Sequence, residues 1–180
     1  MLIKADQSCL IVIDMQERLV PAMQAPARTI RNAAVLMQAA NTIGVPVLMT
    51  EQYSKGLGPT VPELKKHIGD ASVLEKMHFS CMQDEAFANK FSSLGRKQAV
   101  IVGMEAHICV LQTGVNLMEE GFDIFVVTDA TSSRSPESEK ACLDRLSACG
   151  AGIVTTEMVV FEWLKKAGSP EFKQLLPLIK

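Results

Sequence analysis

The chain has 180 residues, enough for one domain with a sizeable core and rather short for two. Its hydrophobic content of 48% is typical of a globular protein, and its net charge of −2 argues against a nucleic-acid surface built on phosphate contacts. No apolar run approaches the roughly 18 residues of a membrane span, and the N-terminus lacks a signal-peptide pattern. We therefore expect a soluble protein in which residues 1–180 form a single domain. A cytoplasmic location is expected, and a mitochondrial one stays open.

The cysteines and histidines indicate neither disulfides nor a metal centre. The five cysteines are odd in number and irregularly spaced, without a CxxC pair, so they indicate a reducing compartment. The three histidines are scattered, and no glycine-rich phosphate loop follows a predicted strand. The sequence therefore predicts no metal and no nucleotide cofactor.

Short runs rich in Val and Ile alternate with amphipathic segments along the whole chain. The runs predict strands at Cys9–Ile13, Val45–Met49, Ser72–Lys76, Ala99–Val102, Asp123–Thr128 and Gly152–Thr156. The other segments predict helices at Thr29–Ile43, Asp84–Leu94, Ile108–Met118, Glu137–Cys149, Val159–Lys166 and Glu171–Ile179. This alternation is typical of an α/β fold, in which helices cover both faces of a parallel sheet.

The fourth predicted strand and the helix after it form a strand–turn–helix unit with Cys109 in the turn. A helix N-terminus lowers the pKa of a thiol, and its unpaired backbone N–H groups can hold an oxyanion. Cys109 could therefore be a nucleophile. The alternative is a buried small hydrophobic residue, and this segment alone slightly favours that second interpretation.

Polar residues that follow parallel strands line the functional crevice of such a sheet. This rule collects Asp14, Gln16, Gln52, Tyr53, Lys76, His78, the turn 105–109, Thr128 and Asp129. Taken singly, Asp14 also fits a turn residue and Lys76 a solvated lysine. Together with Cys109 they can act as a unit, because a lysine favours the thiolate and a carboxylate can accept the thiol proton and return it to a leaving group.

Three segments also carry a resemblance to a known family. LIVIDMQ surrounds Asp14, Lys76 ends a short strand, and VIVGMEAHICVLQT surrounds Cys109. In this order the segments resemble the isochorismatase-like cysteine hydrolases, which include isochorismatases, nicotinamidases and carbamoylsarcosine-type amidohydrolases. The resemblance covers nearly the whole chain. It implies a three-layer α/β/α, Rossmann-like domain with a six-stranded parallel sheet of order 3-2-1-4-5-6 and a catalytic triad of these three residues.

The resemblance also implies details of the site. Cys109 would attack a carbonyl carbon, and a cis peptide at Met104–Glu105 would aim the backbone amides of Glu105 and Cys109 at the oxyanion. The candidates for the substrate pocket are Gln16, Gln52, Tyr53, His78 and His107. Nicotinamidases carry a histidine metal site after the second strand, where this chain reads TEQYSKGLGPT, so we expect neither that metal nor that activity.

We therefore expect a cofactor-independent hydrolase that acts on a small carbonyl compound, most plausibly an amide, through a thioester-type intermediate. The alternative is an assembly or partner-binding protein with an idle triad. Nucleic-acid processing is disfavoured by the net charge. The family's small members form dimers, tetramers or larger rings, and the segment Met158–Phe161 with Trp163 is the predicted subunit contact, although it also fits an ordinary core helix.

Overall fold

The computed structural model describes residues 1–69 and 71–179. In this part of the chain six parallel strands form one sheet of order β3-β2-β1-β4-β5-β6. The strands are β1 (Ser8–Ile13), β2 (Val47–Gln52), β3 (Ser72–Lys76), β4 (Gln98–Met104), β5 (Asp123–Ser132) and β6 (Gly152–Val154). The predicted fold class and strand order are confirmed.

Helices fill the connections between the strands. They are α1 (Pro26–Ile43), α2 (Ser54–Leu57), α3 (Pro62–Lys65), α4 (Glu85–Ser93), α5 (Leu111–Glu119), α6 (Pro136–Ala148), α7 (Thr156–Leu164) and α8 (Pro170–Leu175). A π-helical turn, Ala106–Val110, precedes α5, and 3-10 turns lie at Val20–Ala22, Cys81–Gln83 and Leu176–Leu178. Throughout 1–69 and 71–179, every helix is too short or too polar to cross a lipid bilayer.

The sheet is the middle of three layers, because successive residues of a strand face opposite sides. On one side Leu10 of β1 belongs to a core cluster with Leu36 of α1 and Trp163 of α7. On the other side Ile11 belongs to a second cluster with Phe87 of α4. Both faces of the central strands are thus buried, which explains their continuous apolar sequence.

A close approach between β1 and β4 sets the position of the residues that follow them. Ile13 pairs with Gly103 across the ladder. A Cβ atom on Gly103 would lie 2.5 Å from the Ile13 carbonyl oxygen and 2.7 Å from its Cβ, so only glycine fits there. Asp14, the next residue after β1, is thereby brought close to the turn that follows β4.

Strand β5 is longer than the sequence predicts. Ile101 pairs with Val126, whereas Gly103 pairs with Thr131, so the register shifts and β5 continues beside the end of β4. Thr131 and the two residues after it are fully buried. The following loop, which begins at Ser133 and contains Arg134, therefore leaves the sheet at the same edge as the turn after β4.

The extension of β5 corrects the prediction that Thr128 and Asp129 line this edge. Both residues lie within the strand. The Asp129 carboxylate accepts hydrogen bonds from the backbone N–H and the hydroxyl of Thr156, at 2.8 and 2.9 Å. Asp129 therefore holds the start of α7 rather than a substrate. The predicted last strand also ends earlier, because the Thr155 side chain caps α7 by accepting a hydrogen bond from the N–H of Met158.

The predicted subunit contact on α7 is divided between the core and the surface. Trp163 is 3% exposed, and its indole N–H donates to the Ser8 hydroxyl at 3.1 Å, so the prediction is wrong for this residue. Met158 and Phe161 are 45% and 42% exposed. These two side chains remain available to a partner.

Candidate active site

The three residues of the predicted triad meet at the carboxyl edge of the sheet. The Lys76 ammonium lies 2.8 Å from Oδ2 of Asp14, and both side chains are buried. The Cys109 thiol lies close enough to them that both charges act on its pKa. Three side chains distant in sequence thus form one buried cluster of a carboxylate, an ammonium and a thiol.

Asp14 is fixed by its neighbour on β2. Its backbone is left-handed, with φ of 53°, a conformation that Asp tolerates better than most residues. Its N–H donates to the Thr50 carbonyl at 3.2 Å, and the Thr50 hydroxyl donates to Oδ1 at 2.7 Å. Oδ2 forms the ion pair with the Lys76 ammonium. One carboxylate oxygen is therefore anchored, and the other faces the reactive groups.

Lys76 is held by several acceptors besides Asp14. Its ammonium donates to Oε1 of Gln52 at 2.6 Å and lies 3.2 Å from the carbonyl oxygens of both His78 and Phe79. Burial lowers the pKa of Lys76, but the Asp14 carboxylate and the neighbouring thiols outweigh that effect, and the net pKa is raised. Lys76 is therefore a fixed positive charge.

The prediction of a lowered pKa for Cys109 is wrong. Burial raises the pKa of the thiol, the Asp14 carboxylate raises it further, and Lys76 offsets these effects only in part. The helix-terminus argument also fails, because Cys109 is the fourth residue of the π-helical turn and its N–H already donates to the Glu105 carbonyl at 3.0 Å. The resting form of this site is a thiol beside a carboxylate.

The backbone before Cys109 also differs from the expectation. The Met104–Glu105 peptide bond is trans. The chain changes direction at Glu105, whose φ of 55° and ψ of 53° are left-handed. If the Cys109 N–H donated to an oxyanion, it would have to share that hydrogen bond with the one it already donates to the Glu105 carbonyl. The role of the Glu105 amide stays a prediction.

The Glu105 side chain makes an ion pair that sequence reasoning missed. It is 5% exposed, and its Oε1 lies 2.6 Å from Nε of Arg134. Nδ1 of His107 lies 3.8 Å from Oε2 and 3.0 Å from the Ser133 hydroxyl. A buried carboxylate needs a cation, but the burial of Glu105 is a tertiary property that the sequence does not reveal.

Two of the predicted pocket residues serve other purposes. Gln16 is fully buried. Its Nε2 donates to the carbonyls of Gln52 and Gly58, at 3.0 and 2.7 Å, and its Oε1 accepts from the Gln52 N–H at 2.8 Å. The Gln52 carboxamide bridges Lys76 and the Met77 carbonyl. Gln16 is therefore unavailable to a substrate and anchors the loop after β2, whereas Gln52 orients Lys76.

The other pocket candidates lie at the rim of the cluster. Tyr53 is 48% exposed, and the side chain of His107 is 30% exposed. The side chain of His78 is 56% exposed, and its Nδ1 lies 3.2 Å from Oδ2 of Asp84. Beside Lys76 lies an open cavity of about 340 Å³. Its lining residues are Tyr53, Lys55, Glu75, Lys76, Met77 and Asp84.

A second thiol that the sequence did not single out adjoins the cluster. Cys81 is fully buried, and its N–H donates to the Thr113 hydroxyl at 3.0 Å. Burial, reinforced by Asp14, raises the pKa of Cys81 to about 12. All five cysteines lie in the described ranges and are free thiols. In those same ranges, no group of three or more His, Cys, Asp or Glu side chains is placed so that it could hold a metal ion.

The fold and the buried cluster define a parallel α/β protein with a thiol–carboxylate–ammonium centre. Comparison with known proteins assigns the family, because the isochorismatase domain model matches residues 8–158. The chain belongs to the isochorismatase-like hydrolase family. It is 38% identical over 178 residues to isochorismatase domain-containing protein 2 of Danio rerio, covering 96% of this chain and 86% of the relative.

Solved structures agree with this assignment. The MAR1 ribonuclease of Caenorhabditis elegans superposes with a TM-score of 0.94 at 33% identity, covering 99% of this chain and 92% of its own. YcaC of Escherichia coli, described as an octameric hydrolase of unknown specificity, has a TM-score of 0.93 at 26% identity, covering 98% and 90%. YcaC of Pseudomonas aeruginosa, solved with covalent acrylamide, has a TM-score of 0.92 at 26% identity, covering 98% and 91%.

Proposed function

We propose that this protein is a cysteine-dependent hydrolase that acts on a small carbonyl substrate of the amide class, with Cys109 as nucleophile. The observation that carries the proposal is the burial of a thiol, a carboxylate and an ammonium at one point of the sheet edge. Each group has a part in acyl transfer, and the family is one of hydrolases. The P. aeruginosa YcaC structure, with its covalently attached acrylamide, supports a reactive nucleophile in proteins of this fold.

The order of proton transfers follows from the raised pKa of Cys109. Because the resting sulfur is protonated, Asp14 takes the thiol proton as the sulfur forms a bond with the carbonyl carbon. When the carbon–nitrogen bond breaks, Asp14 returns that proton to the leaving amine, and a thioester remains. Asp14 then takes a proton from the attacking water and passes it to the sulfur as the carbon–sulfur bond breaks, which releases a carboxylic acid and restores the thiol.

Lys76 supports both protonation states of Asp14. Its fixed charge stabilises the carboxylate in the resting enzyme, and the contacts with Gln52 and two backbone carbonyls keep the ammonium in place when Asp14 is protonated. No bond to Lys76 forms or breaks in this scheme. Its role is electrostatic.

The proposal is tested by incubating the protein with a collection of small primary and secondary amides, quenching with acid and measuring intact mass. We expect release of ammonia or amine and an acyl adduct that peptide mapping assigns to Cys109. Cys109→Ala should lose both, and Cys149→Ala, which removes an exposed thiol, should retain both. Equal amide cleavage by Cys109→Ala would contradict the proposal.

Ribonuclease activity is a second candidate, because one similar structure is described as a ribonuclease. The net charge of −2 and the burial of the single lysine in the cluster favour a small neutral substrate over a polyanion. Cleavage of labelled RNA that disappears in Cys109→Ala, combined with salt-sensitive binding, would favour this candidate instead.

We further propose a homo-oligomer in a reducing compartment such as the cytoplasm. The octameric YcaC of E. coli and the exposed Met158 and Phe161 support self-association, and the five free thiols support the compartment. Light scattering of the purified protein tests the first part. A monomer at micromolar concentration would contradict it.

A further inference from the structure

The backbone of Cys109 is held by Glu105. The Glu105 carbonyl accepts hydrogen bonds from the N–H groups of Ile108 and Cys109, at 2.8 and 3.0 Å. Glu105 itself is left-handed, a conformation that residues other than Gly, Asn and Asp rarely adopt. The position of the sulfur therefore depends on a turn that the local sequence does not favour, and other contacts must hold that turn.

One such contact is the ion pair between the Glu105 and Arg134 side chains. Oε1 of Glu105 lies 2.6 Å from Nε of Arg134, and the carboxylate is almost fully buried. Oε2 has no hydrogen-bond partner among the described residues and lies 3.8 Å from Nδ1 of His107, so the half-exposed Arg134 guanidinium makes the shortest contact with this buried charge. Arg134 is anchored in turn, because its carbonyl accepts a hydrogen bond from Nε2 of Gln24 at 2.8 Å.

We propose that Arg134 is a positioning residue, whose ion pair with Glu105 holds the left-handed turn that places the Cys109 sulfur against Asp14 and Lys76. Without the guanidinium, the buried carboxylate is uncompensated and moves toward water. The turn then relaxes, and the thiol moves away from its two charged neighbours. The catalytic consequence rests on the proposed function, but the position of the thiol can be measured without a substrate.

The test is the pH dependence of iodoacetamide alkylation at Cys109, followed by peptide mapping. In this reaction the sulfur displaces iodide and the thiol proton goes to solvent, so the rate follows the thiolate fraction. Arg134→Gln should lower the alkylation midpoint of Cys109 toward the pKa of an ordinary thiol. The reason is that burial and the Asp14 carboxylate raise the pKa of Cys109, and both effects weaken when the thiol moves away. Each unit of that shift makes alkylation about tenfold faster at about pH 8.

Conservative and control variants separate positioning from general loosening. Arg134→Lys should keep the wild-type midpoint, because the contact is made by one nitrogen that a lysine can replace. Arg28→Gln removes another ion pair near the same loop, Arg28–Glu139 at 3.3 Å. This variant should also keep the wild-type midpoint. If Arg134→Gln does not fold, Glu105→Ala takes its place, because it removes the side chain that Arg134 holds, and it should shift the midpoint in the same direction.

A wild-type midpoint in Arg134→Gln, or in Glu105→Ala where that variant is used, would overturn the proposal. An equal shift in Arg28→Gln would also overturn it. If amide turnover is measurable, Arg134→Gln should lower kcat by about 10²-fold, as misplacement of a reacting atom does. Failure of the wild-type protein to cleave any amide would refute the proposed function but leave the alkylation result unchanged.

Discussion

Replacing Lys76 by Met should destabilise the protein strongly, because it leaves the buried Asp14 carboxylate without its cation. At the observed separation of 2.8 Å, the attraction between the two charges is about 6 kcal/mol at an effective dielectric constant of about 20. The desolvation of Lys76 in the wild-type protein cancels part of this gain. Breaking a buried pair by removing one partner costs about 3–5 kcal/mol, and we expect a loss in that range.

Urea unfolding of four proteins measures the effect: wild type, Lys76→Met, Asp14→Asn and the double variant. The double variant should be more stable than Lys76→Met, because it buries no unpaired charge. A loss below about 1 kcal/mol, or a double variant less stable than Lys76→Met, would refute the reasoning.

Three further predictions concern the rest of the fold. The free energy of unfolding should fall above about pH 9 by roughly 1.4 kcal/mol per pH unit for each buried thiol. Burial raises the pKa of Cys9 and Cys81 from 9.0 to about 12, so between these pH values the two thiols ionise only in the unfolded chain. A Tm that stays constant at alkaline pH would contradict this prediction. Gly103→Ala should lower the free energy of unfolding in urea by about 1–3 kcal/mol, since the added Cβ would lie 2.5 Å from the Ile13 carbonyl oxygen. A variant as stable as the wild type would contradict this prediction. Gln16→Ala should make the loop after β2 more sensitive to limited proteolysis, because three hydrogen bonds of that carboxamide are lost, and an unchanged cleavage rate would exclude that anchoring role.

The fold was largely predictable because its central strands are buried on both faces. Apolar runs such as Cys9–Ile13 are visible in the sequence without tertiary information. The end of β5 was not predictable in this way, because its residues TDATS are polar and resemble a loop. They form a strand only because the end of β4 offers them partners across the shifted register.

The site was predictable in its membership but not in its electrostatics. Asp14, Lys76 and Cys109 follow from the rule that residues after parallel strands meet at one edge, together with the family resemblance. The pKa of Cys109 depends on burial and on the charge of Asp14, which are tertiary properties. The ion pair between Glu105 and Arg134 depends on a left-handed residue, which local sequence preferences disfavour.

The most direct test of the central claim is the alkylation midpoint of Cys109 in the wild-type protein and in Asp14→Asn. If the three side chains form one coupled unit, the wild-type midpoint lies above that of an ordinary thiol, and Asp14→Asn lowers it because Lys76 then acts on the sulfur unopposed. A midpoint that is the same in both proteins would mean that the carboxylate does not act on the sulfur, and it would contradict the account.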